Sequence, residues 1–185
     1  MAVWLLRLFV GIVLTQSSPA ISQRLPLDGA TAEVCFTPGA DCAGLVAKAI
    51  GQAKSRVWLL GYGFSEGTIL TALVDARNRG VDVRVVLDKS NDGRYSGATF
   101  AAKFGIPVRI DRSVRIAHNK LIIIDHDTVV VGSLNWTKSG NTKNAENVHI
   151  VRGSNALVRV HAAYFQSREE ISEPYSLPKS GPQSR

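Results

Sequence analysis

Only two cysteines, Cys35 and Cys42, occur in 185 residues, and no segment repeats another. Two thiols alone cannot build a structural zinc centre, and no further ligands stand at suitable spacing. The turn-rich Thr37-Pro38-Gly39-Ala40-Asp41 separates them. They read as a short disulfide loop in an exported chain and as two free buried thiols in a reducing compartment. Closing so small a loop contributes at most about 2–3 kcal/mol. Acidic side chains are also scarce: 15 Asp and Glu stand against 22 Lys and Arg, a formal charge of +7. That balance suits a polyanionic partner, nucleic acid or an anionic membrane surface, without separating the two. No long apolar loop or amphipathic stretch offers itself for interfacial binding, which counts against the membrane.

What is present is enough for one domain with a real core, since 45% of the residues are hydrophobic. The N-terminus is set apart. Met1 to Leu14 is apolar with Arg7 as its only charge, and the small, polar Thr15 to Ser22 follows. Residues 1–22 read as a secretory signal peptide cleaved after Ala20 or Ser22. The alternative is a retained anchor, but the apolar run is shorter than the roughly 20 residues a spanning helix needs. A periplasmic or secreted location, with no membrane contact after cleavage, follows from the first reading.

Ala32 to Phe36 reads as a first strand, and Leu45, Val46, Ala49 and Ile50 have helical spacing behind a capping Asp41. A second strand, Val57 to Leu60, ends in Gly61-Tyr62-Gly63-Phe64. Ser65 is expected to open an amphipathic helix that Gly80 closes. Val81 to Leu87 forms a third strand. This alternation predicts an α/β fold with a mixed, mainly parallel sheet flanked by helices. Asp88 to Gly97 is loop-like. A helix around Ala98 to Phe104 and a short strand at Val108 to Ile110 follow it. Lys138 to Asn144 is polar, Val148 to Val151 is a strand, and Ser154 caps a last helix. The domain is therefore expected over residues 23–170, with a polar tail over 171–185.

The chemistry concentrates in Ala117-His118-Asn119-Lys120-Leu121-Ile122-Ile123-Ile124-Asp125. The branched apolar run reads as a buried strand, whose alternation turns His118 and Lys120 the same way. Lys is seldom buried without a partner, so the pair calls for an anion. A tight turn at Asp125 to Thr128 sends Thr128 to Val131 back antiparallel, and Gly132 then delivers Ser133 and Asn135 near His118 and Lys120. An imidazole, an ammonium and two small hydrogen-bonding groups around one point describe a phosphate site with a candidate nucleophile. Arg109, Arg112, Arg115, Lys138 and Lys143 are candidate phosphate-backbone contacts. Trp136 and Tyr62 suit either base stacking or packing. His149 and His161 read as packed or surface residues. His126 sits between two turn carboxylates that diverge, so no metal site is expected.

His118-x-Lys120-x-x-x-x-Asp125 followed by Gly132-Ser133-x-Asn135 resembles the signature of the phospholipase D superfamily. Asn144-Ala145-Glu146-Asn147 looks like its later acidic element. With one motif copy per chain, the sequence is most similar to the family's small bacterial endonucleases, which are EDTA-resistant. The resemblance covers roughly residues 30–170 and implies that family's fold. It also implies His118 as the nucleophile that forms a phosphohistidine. Lys120, Asn135 and Ser133 would hold phosphate oxygens, and Glu146 would accept a hydrogen bond from the other imidazole nitrogen. Asp125, on the opposite side of a regular strand, is expected to be structural. No metal or other cofactor is required when lysine supplies the charge.

One histidine cannot be nucleophile and general acid at the same instant, so a single motif copy points to a homodimer with both His118 side chains at one site. The leading expectation is thus a nuclease whose partners are nucleic acid and a second copy of itself. A lipid phosphodiesterase acting on phosphatidyl groups or cardiolipin is the enzyme alternative. A basic nucleic-acid-binding module with a dead site ranks below both.

Overall fold

The computed structural model describes residues 22–27 and 29–178; the expected leader lies outside these apart from Ser22. In chain order the first elements are β1 (Thr31–Thr37), α1 (Cys42–Gly51), β2 (Arg56–Gly61), α2 (Gly67–Asn78), β3 (Asp82–Asp88), α3 (Gly97–Lys103) and β4 (Val108–Asp111). There follow β5 (Lys120–Ile124), β6 (Thr128–Gly132), α4 (Lys138–Thr142), β7 (Glu146–Arg152), α5 (Asn155–Ile171) and β8 (Glu173–Pro174). The strands form one sheet of eight in the order β1-β7-β6-β5-β2-β3-β4-β8.

The helices start where side chains replace missing partners for free amides. The Asp41 carboxylate accepts from Gly44 N at 2.9 Å, and Ser154 Oγ accepts from Leu157 N at 3.2 Å. The second helix is capped by Glu66 rather than opened by Ser65. Ser65 N and Glu66 N both donate instead to Trp136 O, at 2.7 and 2.9 Å, which ties this helix start to the segment after β6. α1, α2 and α3 cover one sheet face over Val57, Leu59, Val83, Val85, Leu87, Ile122 and Ile124. Among the described residues the opposite face is covered by α5, where Val158, Ala162 and Phe165 pack on Trp58, Leu60, Val86, Leu121 and Ile123. Trp58 and Phe165 stack with ring centroids 5.1 Å apart.

The expected mixed α/β sheet is present, but its parallel part is confined to β2–β3 and β3–β4. The remaining pairs are antiparallel. The cause lies between β4 and β5. No helix returns the chain to the far edge there, so β5 enters beside β2 from the edge where β2 ends and must run against it. Two hairpin-like returns then add β6 and β7.

The polar tail also begins later than expected. α5 runs to Ile171, and Glu173–Pro174 pairs with the edge of β4. Tyr175 N donates to Val108 O at 2.9 Å, and the Tyr175 hydroxyl lies 2.5 Å from Thr99 Oγ1. The domain therefore packs at least five residues beyond position 170. Cys35 and Cys42 are joined in a disulfide that links β1 to α1.

Candidate active site

The edge at which β2, β3 and β4 end is also the edge at which β5 begins, with Gly61 opposite Lys120 and Asp88 opposite Asp111. His118 stands there on the segment between β4 and β5. Asp88 pins that segment: Oδ2 accepts from Ala117 N at 2.8 Å while Oδ1 accepts from Ser90 N at 2.9 Å. Burial alone would raise the Asp88 carboxyl, but the amides of Ser90 and Ala117 outweigh it and hold the group below the usual carboxylate range. From the other side, Tyr62 N donates to Asn119 O at 3.1 Å. The Tyr62 ring meets the His118 imidazole at 4.6 Å between centroids, tilted by 58°. The imidazole itself is exposed and makes no side-chain hydrogen bond among the described residues.

Lys120 is buried, only 9% exposed, and has no ion-pair partner among the described residues. Its Nζ donates to the carbonyl of His118 at 3.1 Å and lies 5.3 Å from the centroid of the Tyr62 ring. Burial lowers its pKa from the usual lysine value, and the charge of Glu146 opposes that shift. A cation so placed is under-neutralised and gains from an arriving anion.

β6 ends at Gly132 because the chain passes too close to β7 for a side chain: a Cβ there would lie 2.1 Å from Asn147 O. Beyond it, Ser133 Oγ donates to Glu146 Oε2 at 2.5 Å and accepts from Asn147 N at 3.1 Å. Asn144 Nδ2 donates to the other Glu146 oxygen at 3.0 Å. Glu146 is thus engaged by Ser133 and Asn144, and the expected bond to its own chain's His118 is absent. Asn135 is set between the buried Leu134 and Trp136, and a Cβ on Gly63 would come within 3.4 Å of it. Its Oδ1 is buried without a hydrogen-bond partner. Leaving such an acceptor unmet costs about 1–3 kcal/mol, which an incoming hydrogen-bond donor can relieve.

Asp125 belongs to the opposite end of β5. Its carboxylate accepts from Lys54 N, Ser55 N, Ser55 Oγ and Arg56 N at 2.7–3.1 Å, and its φ of 52° turns the chain toward β6. What it clamps is the loop before β2.

Three of the expected substrate contacts have partners within the chain. Arg109 donates through Nε to Ser172 O at 2.9 Å, tied to the α5–β8 connection. Arg112 pairs with Asp92 and, at 3.1 Å, with Glu173. Trp136 is 1% exposed and donates to Leu60 O at 3.2 Å, so it is core and not a stacking platform. Arg115, Lys138 and Lys143 are exposed and without ion-pair partners among the described residues. Lys138 opens α4, a short helix within the polar Lys138 to Asn144 stretch. Among the described residues, no three His, Cys, Asp or Glu side chains are grouped to hold a metal ion. Beside His118 opens a cavity of about 330 Å³ lined by Val114, Ile116, Ala117, Asn119 and Tyr164. Sequence reasoning missed Asp88 as the anchor of the His118 segment; its only signal was an acid at a strand end facing a loop.

A protein-family model described as "Cardiolipin synthase, PLD-like domain" matches residues 46–168. Phospholipase D of Rickettsia felis is 43% identical over 118 residues, 63% of this chain and 59% of that protein. Mitochondrial cardiolipin hydrolase of Mus musculus is 32% identical over 130 residues, 69% of this chain and 58% of that one. The chain thus spans less than two thirds of the length of these relatives. The crystal structure of Nuc, a phospholipase D family member from Salmonella typhimurium, superposes with a TM-score of 0.76 at 36% identity, over 79% of this chain and 98% of that one. With the family model matching most of the described domain and His118, Lys120, Ser133 and Asn135 carried by segments that meet at one sheet edge, the chain belongs to the phospholipase D superfamily.

Proposed function

We propose that the chain is a metal-independent phosphodiesterase that cleaves nucleic acid, DNA foremost and RNA besides, through a phosphohistidine on His118. One observation carries the chemistry: an open imidazole seated on Tyr62 stands beside a buried lysine that lacks an ion-pair partner among the described residues. A neutral ring nitrogen attacks phosphorus, the N–P bond forms, and the P–O bond to the leaving group breaks. The Lys120 ammonium and the Asn135 amide bind the non-bridging oxygens, where charge accumulates. Water then cleaves the N–P bond and frees the imidazole.

The leaving oxygen needs a proton that the attacking imidazole cannot give. A two-fold homodimer supplies a second His118 as general acid, and the same ring later activates water. Glu146, which does not reach its own His118, is then assigned to the imidazole of the second copy. The nucleic-acid reading draws on the +7 charge and on the exposed Arg115, Lys138 and Lys143. The Cys35–Cys42 disulfide supports export to an oxidising compartment, periplasmic or extracellular.

A second reading, hydrolysis of a phosphatidyl group, rests on the exposed Val114 and Ile116 beside His118 and on the names of the Rickettsia and mouse relatives. One experiment separates the two. Purified mature protein is given plasmid DNA, single-stranded DNA and phosphatidylglycerol vesicles with excess chelator, beside a solution mass measurement. Rapid quench of labelled substrate into alkaline denaturant, in which an acid-labile N–P bond survives, reads the phosphoenzyme. The nuclease predicts cleaved DNA, intact lipid, labelled protein and a dimer mass; cleaved lipid with intact DNA refutes it.

A further inference from the structure

Both aromatic side chains singled out in the sequence are committed elsewhere, Trp136 to the core and Tyr62 to His118. A different one stands free. Tyr95, in the loop between β3 and α3, is 95% exposed. An aromatic ring gains little from standing alone in water, and nothing in the fold requires one there.

The loop is fixed at both ends to the segment that follows β2, which carries Tyr62. Asn91 Nδ2 donates to Tyr62 O at 2.5 Å, and Gly97 N donates to Phe64 O at 3.1 Å. Lys89 Nζ also donates to Val114 O at 3.1 Å, which joins the loop to the segment that carries His118. Behind Tyr95 lies a cavity of about 350 Å³ lined by Arg94, Tyr95, Thr99, Lys103, Leu177 and Pro178. Its floor is held by Thr99, whose hydroxyl donates to Gly93 O at 2.9 Å and lies 2.5 Å from the Tyr175 hydroxyl. Arg94 and Lys103 are exposed and have no ion-pair partner among the described residues.

We infer that this cavity is a nucleotide subsite for single-stranded nucleic acid running away from the scissile phosphate. Tyr95 stacks on an unpaired base, and Arg94 and Lys103 meet the adjoining phosphates. The size suits one nucleotide, since small-ligand sites begin near 300 Å³. Stacking needs a base face free of its neighbour, so the ring discriminates against intact duplex. The inference rests on the nucleic-acid reading above and names the strand state that reading leaves open.

The test compares wild type, Tyr95→Ala, Tyr95→Phe and Arg94→Gln on a single-stranded oligonucleotide, a duplex of the same length and bis(p-nitrophenyl) phosphate. Thermal melting checks the fold of each variant. For Tyr95→Ala, the ratio of kcat/KM on single strand to that on the small diester falls about tenfold, chiefly through KM, and Tyr95→Phe restores it. Arg94→Gln lowers the salt dependence of single-strand binding by about 0.7 in logarithmic slope. An unchanged ratio in Tyr95→Ala, or an equal loss on duplex, overturns the subsite while the nuclease reading stands. If wild type hydrolyses the small diester but neither binds nor cleaves any polynucleotide, the functional reading fails and takes the subsite with it. If Tyr95→Ala instead loses binding to phosphatidylglycerol vesicles, the surface belongs to a membrane and the inference is refuted.

Discussion

The two ends of β5 treat polar groups in opposite ways. At the Asp125 end, one carboxylate collects three backbone amides and a hydroxyl, and nothing is left over. At the Lys120 end, among the described residues, an ammonium is buried without an ion pair, an imidazole stands open, and the Asn135 Oδ1 is buried unmet. Both ends carry residues of the same sequence motif, yet at one end the polar groups are saturated and at the other they are left open to a ligand. Motif membership alone would not have separated them.

If that contrast is sound, His118→Ala produces the largest change. Turnover of any diester substrate falls by about 10³-fold or more, while thermal stability stays close to wild type because the ring is exposed. A large fall in melting temperature would place His118 with the scaffold. Asn135→Ala comes next, with kcat lower by about 10²-fold and a melting temperature that holds or rises, since a buried unmet oxygen is removed. Unchanged kcat would take Asn135 out of the oxygen-binding set.

Asp125→Asn should reverse the pattern. Burial pushes the Asp125 carboxyl up, but the amides of Ser55, Lys54 and Arg56 outweigh it and hold it below its ordinary 3.8. Its contribution is therefore complete above that value and lost as pH falls through the lower folded value. The variant loses about 2 kcal/mol near neutrality, or several degrees in melting temperature. The loss narrows in acid, and kcat per folded molecule is kept. A loss of kcat with full stability would erase the distinction between the two ends.

The smallest effect is expected from Glu146→Gln on the alkaline limb of the rate profile. Burial lowers the Lys120 pKa and the Glu146 charge opposes this, so removing that charge lowers it further. Activity needs the ammonium and falls as pH rises through its pKa, so the limb moves to lower pH. Movement in the other direction would mean that the limb reports a different group.

Much of this was legible in the residues. The branched run after Lys120, the turn at Asp125 and the return to Gly132 follow from local pattern, as do the caps at Asp41 and Ser154. What escaped was fixed by partners far along the chain. Arg109 and Arg112 read as free cations because Ser172 and Glu173, which engage them, are more than 60 residues away. Trp136 looked available because nothing local announces a carbonyl acceptor at Leu60. The smaller parallel share of the sheet depends on where an irregular segment crosses, and no periodicity encodes that.

The hydroxyl of Thr37, at the end of β1, lies 3.1 Å from Gly140 O and 2.9 Å from Asn144 O, and it accepts from Glu146 N at 3.2 Å. A single side chain thereby bolts α4 and the first residue of β7 to the edge strand, and the adjacent disulfide fastens that strand to α1. Lys138, Lys143 and Glu146 consequently form one fixed jaw.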